Sequence, residues 1–159
     1  MARSRVALLV ALSIFVSISG SALAEEFLVK GRVYCDTCQA GFETNVTTYI
    51  EGARVRVQCK DSKSLQTVYS VEAKTDKTGT YYVTVKGDRL DQMCECVLLS
   101  CSLAGCNSAD PGRSKSTIVL SRTENGILNT LQYANAMGCF KDKPLPVCSQ
   151  LLNYYLSDV

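Results

Sequence analysis

Apolar and polar residues alternate along most of the chain once its first two dozen positions are passed. Phe27, Val29, Gly31, Val33 and Cys35 fall on one face of an extended segment, and Leu28, Lys30, Arg32 and Tyr34 on the other. Side chains of a strand point alternately to the two faces of a sheet, so this pattern predicts a half-covered strand. Ala53, Val55, Val57 and Cys59 alternate more cleanly with Arg54, Arg56, Gln58 and Lys60. Thr67, Tyr69, Val71 and Ala73 repeat the pattern. Thr75-Asp76-Lys77-Thr78-Gly79 then reads as a turn, and Tyr81, Val83 and Val85 as the next inner face. Of the adjacent Tyr81 and Tyr82, the alternation puts one in the core and the other on the surface.

The remainder is less regular. Residues 94–102 predict a central strand, apolar on both faces. Residues 104–115 carry Gly105, Asn107, Pro111 and Gly112 and read as a loop. Residues 117–121 are strand-like, and Glu124-Asn125-Gly126 resembles a hairpin turn into a strand over 128–133. The tail changes period: Pro146 is followed by Cys148, Leu151 or Leu152, and Tyr155 at helical spacing, which predicts a short C-terminal helix. About six or seven short strands separated by turns argue for an all-β fold, an antiparallel β-sandwich or small barrel.

The first residues read as an address. Arg3 and Arg5 precede an apolar run from Val6 to Ile18, and Ala22-Leu23-Ala24 fits a small-x-small cleavage site. The run is shorter than the roughly 20 residues needed to cross a bilayer. The expectation is a secretory signal peptide over 1–24, cleaved after Ala24, then a single domain over 25–159, without membrane insertion. Removing two arginines leaves basic and acidic residues in equal number, so no basic stripe exists to hold nucleic acid.

Secretion decides how nine cysteines are read, because an oxidising compartment favours disulfides. The odd count leaves at least one thiol outside any internal pair. Cys35-x-x-Cys38 could serve redox exchange, but no helix begins after it to activate a thiolate. Zinc would need four thiolates, because the chain has no histidine. That absence also excludes a hydrolase built on a histidine base. The scattered carboxylates, among them Glu43, Glu51, Asp61 and Glu72, form no recognisable pair. The reading is of a non-enzyme without a cofactor or metal. Asn45-Val46-Thr47 is the chain's one N-glycosylation sequon and marks Asn45 as the acceptor.

The segment Gly31-x-Val33-Tyr34-Cys35-Asp36-x-Cys38 resembles the signature of the pollen Ole e I-like family of secreted plant proteins. Ala40-Gly41-Phe42, Gly52-Ala53, Thr78-Gly79-Thr80-Tyr81 and Lys141-Asp142-x-Pro144-Leu145-Pro146-x-Cys148 extend the likeness over essentially the whole mature chain. Gln39 departs from it, since the family usually carries arginine there. The resemblance implies a disulfide-stapled sandwich or barrel-like fold with Cys35 paired to Cys106, Cys38 to Cys148, and Cys59 to Cys94. Cys96, Cys101 and Cys139 are extra and stay unassigned; Cys139 stands where relatives usually carry an aromatic. The resemblance further implies an extracellular or cell-wall binding or signalling glycoprotein of pollen development, hydration or pollen-tube growth. Its expected partners are a cell-surface receptor kinase or a cell-wall component. Two alternatives stand beside it: a carrier of a small apolar ligand such as a lipid or flavonoid, and a secreted thiol–disulfide oxidoreductase.

Overall fold

The computed structural model describes residues 26–122 and 130–157. The leader, its cleavage site and the turn at Glu124-Asn125-Gly126 lie outside the described residues. The strands in chain order are β1 (Glu26–Asp36), β2 (Thr48–Tyr49), β3 (Arg54–Asp61), β4 (Thr67–Lys74) and β5 (Thr80–Lys86). They continue with β6 (Gln92–Ser100), β7 (Ser108–Ala109), β8 (Lys115–Ile118), β9 (Leu131–Tyr133) and β10 (Met137–Phe140), and α1 (Cys148–Ser157) ends the described chain. They build two sheets facing each other and not a closed barrel. One sheet runs β4-β3-β6-β8; the other is organised on β1.

The length of β1 explains the second sheet. Its first half pairs with β5 on one side and β9 on the other; its second half pairs with β2 and β10. The pairings with β9 and β10 are parallel, so the sandwich is not wholly antiparallel. The expected hairpin between residues 117–121 and 128–133 is absent for the same reason. β8 pairs with β6 in one sheet, while β9 lies beside β1 in the other. The loop expected over 104–115 contains β7, which pairs with β10.

The inner faces follow the alternation. Phe27, Val29, Val33, Val55, Val57, Tyr81, Val83 and Val85 close the core, and Cys59, Cys94 and Cys96 lie among them. Removing such apolar surface from water is the main driving term for folding. β6 is central, as expected, but covered on one face only: Cys94, Cys96 and Leu98 point inward, while Glu95, Val97 and Leu99 are half-exposed. Its apolar density past Leu98 reflects a bulge, because Val55 faces Leu98 while Arg54 faces Ser100.

Two glycines give β1 its close contacts. Gly31 faces Tyr81 across β1 and β5, and the Tyr81 ring lies where a Cβ on Gly31 would stand, 2.4 Å from its Cζ. Gly138 faces Tyr34 across β1 and β10 and leaves room for that ring in the same way. Each tyrosine fills the side-chain position its partner lacks.

Candidate functional site

The signature segment is a structural knot built around Asp36. Its carboxylate is fully buried; Oδ1 accepts from the Cys38 N–H at 3.2 Å and Oδ2 from the Gly41 N–H at 2.7 Å. That folds residues 37–41 into a tight loop in which Gln39 and Gly41 take positive φ. Gln39, the departure from the family pattern, donates its Nε2 to the Lys141 carbonyl at 2.7 Å. The chain then returns past the signature: Lys141 N–H donates to Asp36 O, and Leu145 N–H to Thr37 O.

The two signature cysteines leave this knot in different directions. Cys35 is bonded to Cys106 and Cys38 to Cys148, at the start of α1. Cys59 is bonded to Cys94, its register partner across β3 and β6, with Cα atoms 4.0 Å apart. These are the pairs the family resemblance implies. A fourth bridge joins Cys101 to Cys139, two of the three cysteines the sequence left unassigned. Their spacing carries no signal; β10 lying beside β1 brings Cys139 within reach. Since Cys35 and Cys38 are not bonded to each other, the exchangeable dithiol that a thiol–disulfide oxidoreductase would need is not formed here. Among the described residues, no group of three or more His, Cys, Asp or Glu gathers to hold a metal.

Cys96 is the one free cysteine and is completely buried. Burial pushes its thiol up to about 11, with Glu95 adding to the rise while the neighbouring Tyr81 hydroxyl lowers it. That hydroxyl is itself buried without a hydrogen-bond partner of normal geometry. A thiol held protonated is a poor nucleophile. Native protein at pH 8 is expected to leave Cys96 unlabelled by a thiol reagent, and one thiol per chain is expected after unfolding without reductant. The sign for stability follows: the folded state disfavours the thiolate. The stability is present below the ordinary thiol range near 8.5 and is lost as pH rises toward 11. Thermal melts from pH 8 to 11 check this.

Two exposed clusters remain for recognition. At one end, Phe42 of the signature loop meets Tyr155 of α1 edge to face, with ring centroids 5.9 Å apart. Tyr154 and Leu156 stand exposed beside them, and Cys148 is the only buried residue of the helix. Asn45 is exposed in the turn between Thr44 and Thr47, where a sugar would meet no packed surface. On the outer face of the β1 sheet, Lys30 lies between Tyr82 of β5 and Tyr133 of β9. A groove of about 300 Å³ runs beside it, lined by Lys30, Arg32, Tyr133 and Ala134. A larger surface cleft of about 380 Å³ lies beside β6 and β8, bordered by Lys60, Met93, Thr117 and Leu120. The Tyr81 ring fills the core beside Gly31.

This is a small β-sandwich closed by four disulfides. The chain belongs to the pollen Ole e 1-like family: the family described as "Pollen protein Ole e 1 like" matches residues 25–156. It is 46% identical over 159 residues to the Arabidopsis thaliana protein DOWNSTREAM OF FLC, covering 99% of this chain and 96% of the relative. It is 41% identical over 133 residues to Pollen-specific protein C13 of Zea mays, covering 84% of this chain and 78% of the relative. The crystal structure of the major plantain pollen allergen Pla l 1 superposes with a TM-score of 0.68. That match has 28% identity and covers 77% of this chain and 98% of the allergen.

Proposed function

We propose that the protein is a secreted glycoprotein of the pollen extracellular space that acts by binding a partner, with a receptor-kinase ectodomain as its signalling target. The observation that carries this reading is the staple pattern. Four disulfides suit an oxidising compartment; one of them ties the signature loop to the start of α1 and another ties it to the turn at Cys106. The names of pollen-specific and pollen-allergen relatives support a role in pollen. Exposed Phe42, Tyr154 and Tyr155, in edge-to-face contact with one another, offer aromatic surface for recognition.

The test is expression of the full chain in plant cells with a C-terminal tag. Protein recovered from the medium should begin at Glu25, and Asn45→Gln should abolish a mobility shift on deglycosylation. A pull-down from pollen-tube membranes should retain a receptor kinase and lose it with Phe42→Ser/Tyr155→Ser. Intracellular retention with reduced thiols would refute secretion; equal retention by both proteins would refute the signalling surface.

A further inference from the structure

The outer face of β5-β1-β9 carries a row that the fold has no use for. Tyr82, Lys30 and Tyr133 are register partners across three neighbouring strands. They therefore stand in a line perpendicular to the strands. The Lys30 ammonium sits 5.5 Å from the Tyr82 ring centroid and 6.0 Å from that of Tyr133, within cation–π range of both. The two tyrosines are 52% and 68% exposed. Arg32, next along the same face, stacks its guanidinium 3.5 Å over Tyr49.

On this face Glu26 pairs with Lys86 across β1 and β5 at 4.0 Å. On the other sheet Arg54 and Arg56 are both matched by Glu72, and Lys60 by Glu95. Among the described residues, neither Lys30 nor Arg32 is in an ion pair. Asp76 accepts from Thr78 and Thr80, and those bonds, with a smaller contribution from the Arg32 charge, hold its carboxyl below the usual range; Glu43 accepts from the Tyr49 hydroxyl. The face thus offers two exposed aromatic rings with the Lys30 ammonium between them and the Arg32 guanidinium beside them. Strands lie about 4.8 Å apart, so rings two strands apart are about 10 Å apart. That is the spacing of alternate sugar rings in an extended polysaccharide. A pyranose ring presents an apolar C–H face that stacks on an aromatic ring, and a uronate adds the carboxylate the cations lack.

We infer that this face binds an acidic polysaccharide, with Tyr82 and Tyr133 stacking on sugar rings and Lys30 and Arg32 meeting uronate carboxylates. The groove beside Tyr133 gives the chain a path along the sheet. The inference rests on the extracellular reading above only for where such a ligand would be met.

Affinity electrophoresis of the full secreted, glycosylated protein tests it, with polygalacturonate cast into a native gel. Retardation is expected, with a dissociation constant raised about ten-fold by Tyr82→Ala/Tyr133→Ala and restored by the paired phenylalanine variant. Lys30→Gln should weaken it and flatten its salt dependence. Both tyrosines are exposed, so the variants should keep the wild-type melting temperature. Equal retardation of wild type and the double alanine variant would overturn the inference. So would equal retardation by fully methyl-esterified polygalacturonate, or by polyglutamate, which carries carboxylates but no sugar. Loss of polysaccharide binding with a normal receptor pull-down would count against this face alone, and the converse against the signalling surface alone.

Discussion

Replacing Cys59 and Cys94 together by alanine is expected to destabilise the domain by about 4 kcal/mol in the chain-entropy account of loop closure. For a domain of this size that corresponds to a fall in melting temperature of roughly 10–20 °C, read by calorimetry. The bridge closes a loop with a sequence separation of 35, so most of the loss comes from a freer unfolded chain. A second part comes from the native side. Both residues are buried on neighbouring strands of one sheet, and truncation leaves a void beside the Val57–Cys96 pair. An unchanged melting temperature would mean that β3 and β6, neighbours in one sheet, are held by their hydrogen-bond ladder and packing alone. The single variant Cys59→Ala should be no milder, because it also leaves Cys94 as a second buried thiol beside Cys96.

The second large effect is steric. Gly31→Ala should cost about 3 kcal/mol, the upper part of the range for overpacking a filled core. The new Cβ would stand 2.3 Å from the Tyr81 Oη and 2.4 Å from its Cζ. The Tyr81 ring cannot swing away without leaving the core, where it is 1% exposed. Gly31 has no positive φ, so the penalty belongs to the ring and not to the backbone. Tyr81→Leu in the Gly31→Ala background should therefore recover part of the loss, and chemical denaturation of the four variants as a cycle measures that coupling. Additive effects would show that the ring is not what excludes a side chain at this position.

Much of the architecture was legible because long strands with one covered face leave an alternating record. β1, β3, β5 and the inner row of β6 can be read from it residue by residue. β10 cannot: Met137, Gly138 and Cys139 are all buried, so alternation vanishes, and its partner lies about a hundred positions away. β2 and β7 are two residues each, too short to show a period. The parallel placement of β9 beside β1 joins positions about a hundred residues apart, which local pattern does not encode. The site divides in the same way. Cys35 and Cys38 announce themselves by spacing, and Asp36 lies inside the recognised signature. The bond from Cys101 to Cys139 needs β10 in position first. The row Tyr82-Lys30-Tyr133 needs two registers, although Tyr82 as a surface residue and Lys30 as an outer-face residue were readable separately.

The bridges Cys35–Cys106 and Cys38–Cys148 interleave along the sequence, and together they span residues 35 to 148. A cut at any one peptide bond within that span leaves both products covalently joined by at least one bridge. A protease acting on a surface turn such as 62–66 would nick the molecule without dismembering it. The fragments would part only after reduction, so the folded surface would outlast the intactness of its backbone.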